Sequence, residues 1–268
     1  MIVRPGRLVL LGHPVAQSMS PRFQNAALRA AGIPLTYEAL DVEPADLDAV
    51  LRELAAVNAA GNVTLPHKET VAARCVRRTA AAERCGAVNV FWHEDGALQG
   101  DNTDVAAVGI VVRALLGEQS LNARVALIGA GGGAAAVLCA AEGWGAARVR
   151  LYNRHMPRAQ RLAARFTGLA TVAASMDEAL LDATLVVNAT PIGMRDDSYP
   201  VPIAMLPPGA AVFDLVYRPQ ESAWARAARK AGHRAADGAG MLVEQGALAF
   251  QRWFGRTPDV NAMWHAMH

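Results

Sequence analysis

Short apolar runs alternate with helical patterns along most of the chain. Leu8 to Leu11 is continuously apolar and stops at Gly12, as a buried strand does. Ser20-Pro21 can open a helix, with serine capping free amides and proline at the first helical position, and Gly32 can end it. Tyr37 to Val42 alternates as a strand does. After Pro44, Leu47, Val50, Leu51 and Leu54 recur at helical spacing. Asn62 to Leu65 reads as a strand closed by Pro66, and Val88 to Trp92, Asp95-Gly96 and Ala97 to Gln99 read as a hairpin. Beyond residue 120 the rhythm is stricter. Strands are predicted at Val125 to Ile128, Arg148 to Tyr152, Leu185 to Asn188 and Ala211 to Val216. A glycine run and an alanine-rich helix follow the first of them, and Ser175 with Glu178 forms a capping-box pattern. This alternation predicts an α/β protein with parallel sheets covered on both faces. The polar stretch Gly193 to Pro200 is the best candidate for a mobile loop.

Composition narrows the class. The 268 residues leave room for two domains, and 53% hydrophobic with 19% charged residues supports a packed core rather than disorder. A net charge of +2 without basic runs gives no nucleic-acid footprint. Cys75, Cys85 and Cys139 are odd in number and lack the spacing of a metal knuckle or redox motif, so no metal is expected and a reducing, cytoplasmic setting is. The apolar run near the start is about half the length of a signal-peptide core. No stretch approaches the roughly 20 apolar residues of a membrane span.

Val125-Ala-Leu-Ile leads into Gly129-Ala130-Gly131-Gly132-Gly133-Ala134, a strand followed by G-x-G-x-x-A. Gly129 permits the tight turn, Gly131 lets backbone approach a pyrophosphate, and Ala134 lets helix and strand pack closely. The helix N-terminus then offers free amides to the phosphates. A site for NAD usually carries an acidic residue at the end of the next strand. Here that strand ends Leu151-Tyr152-Asn153-Arg154-His155, and no Asp or Glu occurs from Gly143 through Thr171. Arg148, Arg150, Arg154, Arg158 and Arg161 occur instead. An arginine fork holds a 2′-phosphate that a carboxylate would repel, so NADP is favoured, with Arg154 in the turn as the main candidate. Arg158, Arg161 and Arg165 read as a solvated helix face.

Three clusters of small polar residues precede this loop. They are Gly12 to Pro21 with Ser18 and Ser20, Gly61 to Glu69 with Asn62, Thr64 and Lys68, and Ala87 to Asn89 continuing to Gly100 through Asp104. Such groups suit a small polyhydroxylated acid. Serines at a helix start can bind a carboxylate, and asparagines can bind hydroxyls. A lysine beside Asp104 can protonate a developing alkoxide. Each cluster also has a plain structural explanation: a helix start, a cap for the helix running towards Leu116, a solvated lysine. Both readings stand at this point.

The motifs S-x-S-P (Ser18 to Pro21), N-V-T-x-P-H-K (Asn62 to Lys68), A-V-N (Ala87 to Asn89), N-T-D (Asn102 to Asp104), G-A-G-G (Gly129 to Gly132), N-R (Asn153-Arg154), N-A-T-x-x-G-M (Asn188 to Met194) and D-G-x-G-M-L-x-x-Q (Asp237 to Gln245) occur in that order. Through them the chain resembles the shikimate dehydrogenases over essentially its full length. The resemblance implies a substrate domain over residues 1–104, completed by a returning helix from about residue 240 to 268, and a Rossmann-type NADP domain over 105–239. A cleft between domains would hold substrate and nicotinamide. Lys68 and Asp104 would be the catalytic pair, and Ser18 and Ser20 would bind the shikimate carboxylate. Asn62, Thr64, Asn89 and Gln245 would contact the substrate, with Tyr217 near substrate and nicotinamide. Asn153, Arg154 and His155 would contact the adenosine phosphate, and Thr190, Leu215 and Gly238 the cofactor. The implied reaction is NADP-dependent reduction of 3-dehydroshikimate to shikimate, in a cytoplasmic enzyme that forms a homodimer. The sequence departs from the family pattern at Gln17 and Gln24, where many members have histidine, at Val105, where glycine is common, and near Glu221-Ser222. These changes leave room for a quinate/shikimate dehydrogenase, or for an NADP-binding relative without activity.

Overall fold

The computed structural model describes residues 5–267, which fall into two compact units. One takes the chain as far as Asp104 and again from Val243 onward; the other is Val105–Leu242.

The first unit holds β1 (Arg7–Gly12), α1 (Ser20–Ala30), β2 (Tyr37–Asp41), α2 (Leu47–Ala56), β3 (Ala59–Val63), α3 (Lys68–Arg74), β4 (Arg77–Arg78), α4 (Ala80–Cys85), β5 (Val90–Glu94) and β6 (Ala97–Asp101). Its six-stranded sheet runs β2-β1-β3-β5-β6-β4. The sheet is mixed, not parallel throughout as the alternation predicted: β5 runs antiparallel to both β3 and β6. The cause is local. Asp95 and Gly96 both take positive φ, 51° and 76°, which is the two-residue turn that joins adjacent antiparallel strands. Val9 and Leu11 of β1, Leu47, Leu51 and Leu54 of α2, and Phe91 of β5 share one buried cluster. Leu8 and Leu10 are also buried, so β1 is covered on both faces.

Two local readings need correction. β3 begins three residues before the predicted Asn62, because Ala59-Ala60-Gly61 has little strand propensity yet is fully buried. Ser20 does not cap α1 but lies inside it; Ser18 supplies the hydroxyl, its Oγ accepting from Ser20 N at 3.2 Å.

The chain enters the second unit within α5 (Thr103–Leu116). There follow β7 (Arg124–Ile128), α6 (Gly132–Trp144), β8 (Arg148–Tyr152), α7 (Met156–Ala163), β9 (Ala170–Val172), α8 (Met176–Leu180), β10 (Leu185–Asn188), β11 (Ala211–Asp214), α9 (Ala223–Lys230) and β12 (Ala235–Ala236). It returns within α10 (Gly238–Phe254) and finishes with α11 (Val260–His265). The second sheet is wholly parallel, in the order β12-β11-β10-β7-β8-β9. This is a doubly wound arrangement whose strand order reverses between β7 and β10, where such sheets bind their ligands. The alanines of α6 from Ala134 to Ala141 are buried, letting the helix pack close. Trp224 of α9 fills the other face, and its Nε1 donates to Val201 O at 2.8 Å. At α8 the predicted cap forms, Ser175 Oγ accepting from Glu178 N at 3.1 Å, but the Glu178 side chain accepts from Ala174 N at 2.7 Å, one residue before the cap, rather than from Ser175 N. The Gly193 to Pro200 stretch is irregular, and Arg218 donates to Asp196 O and Asp197 Oδ1 at 2.9 and 2.6 Å.

Candidate active site

In the first unit, strand ends and helix starts gather the polar clusters. Lys68 opens α3, Asn89 immediately precedes β5, and Thr103 and Asp104 open α5. Lys68 Nζ donates to Asp104 Oδ2 at 2.6 Å. The other carboxylate oxygen accepts from Asn89 Nδ2 at 2.8 Å. The orientation of Asn89 is settled by its oxygen, which accepts from Thr103 N at 2.8 Å and so caps α5 from a distant segment. The expected cap from Asn102 is not made; that side chain donates to Ala87 O at 2.9 Å. Gln245 of α10 completes the group, its Oε1 accepting from Asn89 Nδ2 at 3.3 Å and its carbonyl from Thr103 Oγ1 at 3.0 Å.

Asn62 is attached to the same network, donating to Asn89 O at 3.1 Å. Its oxygen accepts from the hydroxyl of Tyr37 at 2.7 Å. Burial holds the Tyr37 phenol well above its usual range, so it remains a donor and settles which way the Asn62 carboxamide faces. Sequence reasoning missed Tyr37, because a tyrosine in an alternating strand reads as core. It also missed Asp101, which accepts from Arg252 at 3.1 and 2.6 Å, from Thr79 Oγ1 and from Asn102 N, anchoring the turn that delivers Asp104. His67 is spent on packing, its Nε2 lying 2.6 Å from Val42 O.

Ser20 is buried and Ser18 half-buried at the start of α1, and Thr64 is half-buried after β3. Among the described residues no hydrogen bond joins the two serines to the Lys68 network. Gln24 is buried; its Nε2 donates to Gly246 O at 3.0 Å, while its Oε1 has no partner.

In the second unit the glycine loop leaves β7. Gly129 has φ 113°, and a Cβ on it would lie 2.6 Å from Ala189 O, so only glycine fits. A Cβ on Gly131 would meet only the Arg158 guanidinium, at 3.7 Å, so the space beside it is open for a pyrophosphate to approach the free amides of α6. Ala130 and Ala134 are buried, and Gly132 and Gly133 form the first turn of α6.

The structure sorts the arginines. Arg148 and Arg150 bind Asp182, and their bonds hold its carboxyl down to about 2. Arg158 is not simply a solvated face, since its Nε donates to Ala130 O in the glycine loop at 2.9 Å. Arg154 is exposed and has no ion-pair partner among the described residues. It sits one strand over from the loop, where Gly129 N donates to Tyr152 O at 2.8 Å. Asn153 Nδ2 donates to His155 O at 3.0 Å and shapes the turn.

Thr190, Leu215, Tyr217 and Gly238 follow the exits of β10, β11 and β12. Thr190 donates through N and Oγ1 to Asn188 Oδ1 at 2.9 and 2.6 Å, and Gly238 N donates to Val216 O at 2.9 Å. The residues present fit a dinucleotide.

Residues 10–91 match the family model for the shikimate dehydrogenase substrate binding domain, and residues 238–268 that for the shikimate 5'-dehydrogenase C-terminal domain. The chain is 44% identical to a shikimate dehydrogenase (NADP(+)) of Rubrobacter xylanophilus, over 96% of this chain and 94% of that one. The crystal structure of shikimate 5-dehydrogenase from Thermus thermophilus, in complex with NADP(H) and shikimate, superposes with a TM-score of 0.88 at 34% identity, covering 100% of this chain and 98% of that one. Quinate dehydrogenase from Corynebacterium glutamicum in complex with NAD superposes with a TM-score of 0.88 at 28% identity, covering 97% of each chain.

Proposed function

Because the chain belongs to the shikimate dehydrogenase family, we propose that it reduces 3-dehydroshikimate to shikimate, reversibly, with NADPH. The contact between Lys68 Nζ and Asp104 Oδ2 carries the reading. When bound, NADPH supplies the hydride that reaches the ring ketone carbon. Lys68 meets the negative charge that develops on the ketone oxygen and passes it a proton. Asp104 holds the ammonium in place, Asn89 fixes Asp104, and Gln245 fixes Asn89. Ser18 and Ser20 bind the substrate carboxylate at the start of α1, while Asn62, Thr64 and Asn89 take its hydroxyls.

The open space over Gly131 takes the pyrophosphate, and Arg154, assisted by Asn153, His155 and Arg158, takes the 2′-phosphate. Thr190, Leu215 and Gly238 line the nicotinamide half. The three cysteines suit a reducing cytoplasm, and among the described residues no helix is long and apolar enough to cross a membrane. Assembly as a homodimer belongs to the same reading, with gel filtration at the mass of one chain as its refutation.

A quinate-oxidising enzyme is the second reading, favoured by Gln24 in place of histidine and by the likeness to a quinate dehydrogenase. Steady-state assays with shikimate and with quinate, each with NADP⁺ and NAD⁺, separate the two. Turnover confined to shikimate with NADP⁺ supports the first reading. Preference for quinate or NAD⁺ supports the second, and silence in every mixture overturns both.

A further inference from the structure

The exits of β10 and β11 are held by a carboxyl that the proposed chemistry does not use. Asp214, the last residue of β11, is 1% exposed. Its Oδ1 accepts from Asn188 Nδ2 at 2.8 Å and from Val216 N at 3.1 Å. Asn188 in turn accepts both bonds from Thr190, and its carbonyl accepts from Leu215 N at 2.9 Å. Asp214 therefore fastens Val216 directly and the turn at Thr190 through the Asn188 side chain, while the Asn188 carbonyl holds Leu215.

Asp237 repeats the arrangement alongside. Its oxygens accept from Ser222 N and Ala239 N, each at 3.1 Å, fixing the starts of α9 and α10. Gly238 N closes back on Val216 O. In a doubly wound sheet each half of the strand set receives one mononucleotide. The glycine loop and Arg154 belong to the half built on β7, β8 and β9, so β10, β11 and β12 serve the nicotinamide half.

We propose that Asp214 is a positioning residue for the nicotinamide half of the dinucleotide, holding the turn at Thr190 and the backbone at Val216 where that half binds. The proposal rests on the NADP reading above. The second oxygen of Asp214 is buried without a hydrogen-bond partner. Burial pushes this carboxyl up to about 6; the bonds from Ser222, Val216 and Asn188 pull it back, and the neighbouring Asp237 raises it. The charged groups that bear on Asp237 are Glu221 and Arg229, which pair with each other. As pH falls through about 6 the proton settles on the free oxygen, and the bonds to Val216 N and Asn188 lose their charge assistance.

The test measures binding rather than turnover. Dissociation constants for NADP⁺ and for adenosine 2′-monophosphate, which lacks the nicotinamide half, are determined by calorimetry across about pH 5 to 8 in the wild type and in Asp214→Asn. At about pH 7.5 the variant should bind NADP⁺ about five- to tenfold more weakly and adenosine 2′-monophosphate unchanged. In the wild type the ratio of the two constants should show an inflection near 6 that the variant lacks; the 2′-phosphate is the one titrating group of either ligand in this range and cancels. Equal weakening of both ligands, or none, overturns the proposal. Should the variant fail to fold, the wild-type ratio decides alone, and a flat ratio overturns it. Failure of the wild type to bind adenosine 2′-monophosphate at all overturns the NADP reading itself, and the proposal with it.

Discussion

Lys68 reaches Asp104 at 2.6 Å, and the two side chains are only 18% and 8% exposed. A shielded ion pair gains little net stability after desolvation. Its placement beside buried Asn89 and Gln245 fits the proposed role in proton delivery. Lys68→Ala should lower kcat by about 10²–10⁴-fold while leaving the dissociation constant for NADP⁺ unchanged. Near-normal kcat in a folded variant would remove Lys68 from this role. Circular dichroism is a necessary control, because the variant leaves Asp104 buried without its cation.

Arg154 is exposed and carries no ion pair among the described residues, so its guanidinium is available to a ligand. Arg154→Ala should raise KM for NADPH by about ten- to a hundredfold, as loss of a charge-assisted bond does, and change KM for NADH little. Equal changes with both cofactors would place the 2′-phosphate elsewhere.

Removing the Tyr37 hydroxyl strands the buried oxygen of Asn62. Tyr37→Phe should cost about 1–3 kcal/mol of stability, read as a lower melting temperature, and should raise KM for shikimate without weakening NADP⁺ binding. A lower melting temperature with unchanged KM would make Asn62 a structural residue rather than a substrate contact.

Cys75 offers a pH test that is independent of the site. Burial pushes its thiol up to about 11, against a smaller pull from Arg78. Only about one molecule in a thousand carries the thiolate at about pH 8, so iodoacetamide labelling of the native protein should be slow there. The rate should climb about tenfold per pH unit towards about pH 10, while denatured protein labels quickly. Mass spectrometry of the Cys75 peptide reads the rate, and rapid native labelling at about pH 8 would contradict the burial.

Much of the second sheet was legible because β7, β10 and β11 are apolar runs and β8 alternates arginine with apolar residues, all separated by turn and helix signals. The glycine loop was legible because its chemistry is local: a tight turn at Gly129 requires glycine in sequence as it does in space. What escaped was set by partners far along the chain. The strands β4, β9 and β12 have only two or three residues, too few to show a period. The reversed direction of β5 follows from a hairpin turn that was itself read correctly, but a strand's direction in a sheet is a tertiary property. Arg158 looked like surface because helical spacing says nothing about a glycine loop 28 residues earlier. Asp214 resembled any polar strand end until Asn188 and Val216 were seen to converge on it.

The return of the chain through α10 bears on the order in which the protein is made. Gln24 needs Gly246, Asn89 meets Gln245, and Tyr37 lies against Trp253 with ring centroids 6.1 Å apart. All three early residues therefore wait for partners that leave the ribosome last. At about 5–20 residues per second, the intervening Val105–Leu242 emerges over a time on the order of ten seconds. By the end of that interval all strands of the later-encoded sheet have been made, whereas the earlier unit, which bears the lysine and aspartate, still lacks the rest of α10 and α11. The catalytic half is begun first and finished last, and a nascent chain stalled before residue 243 would carry Lys68 and Asp104 without the helix that completes their surroundings.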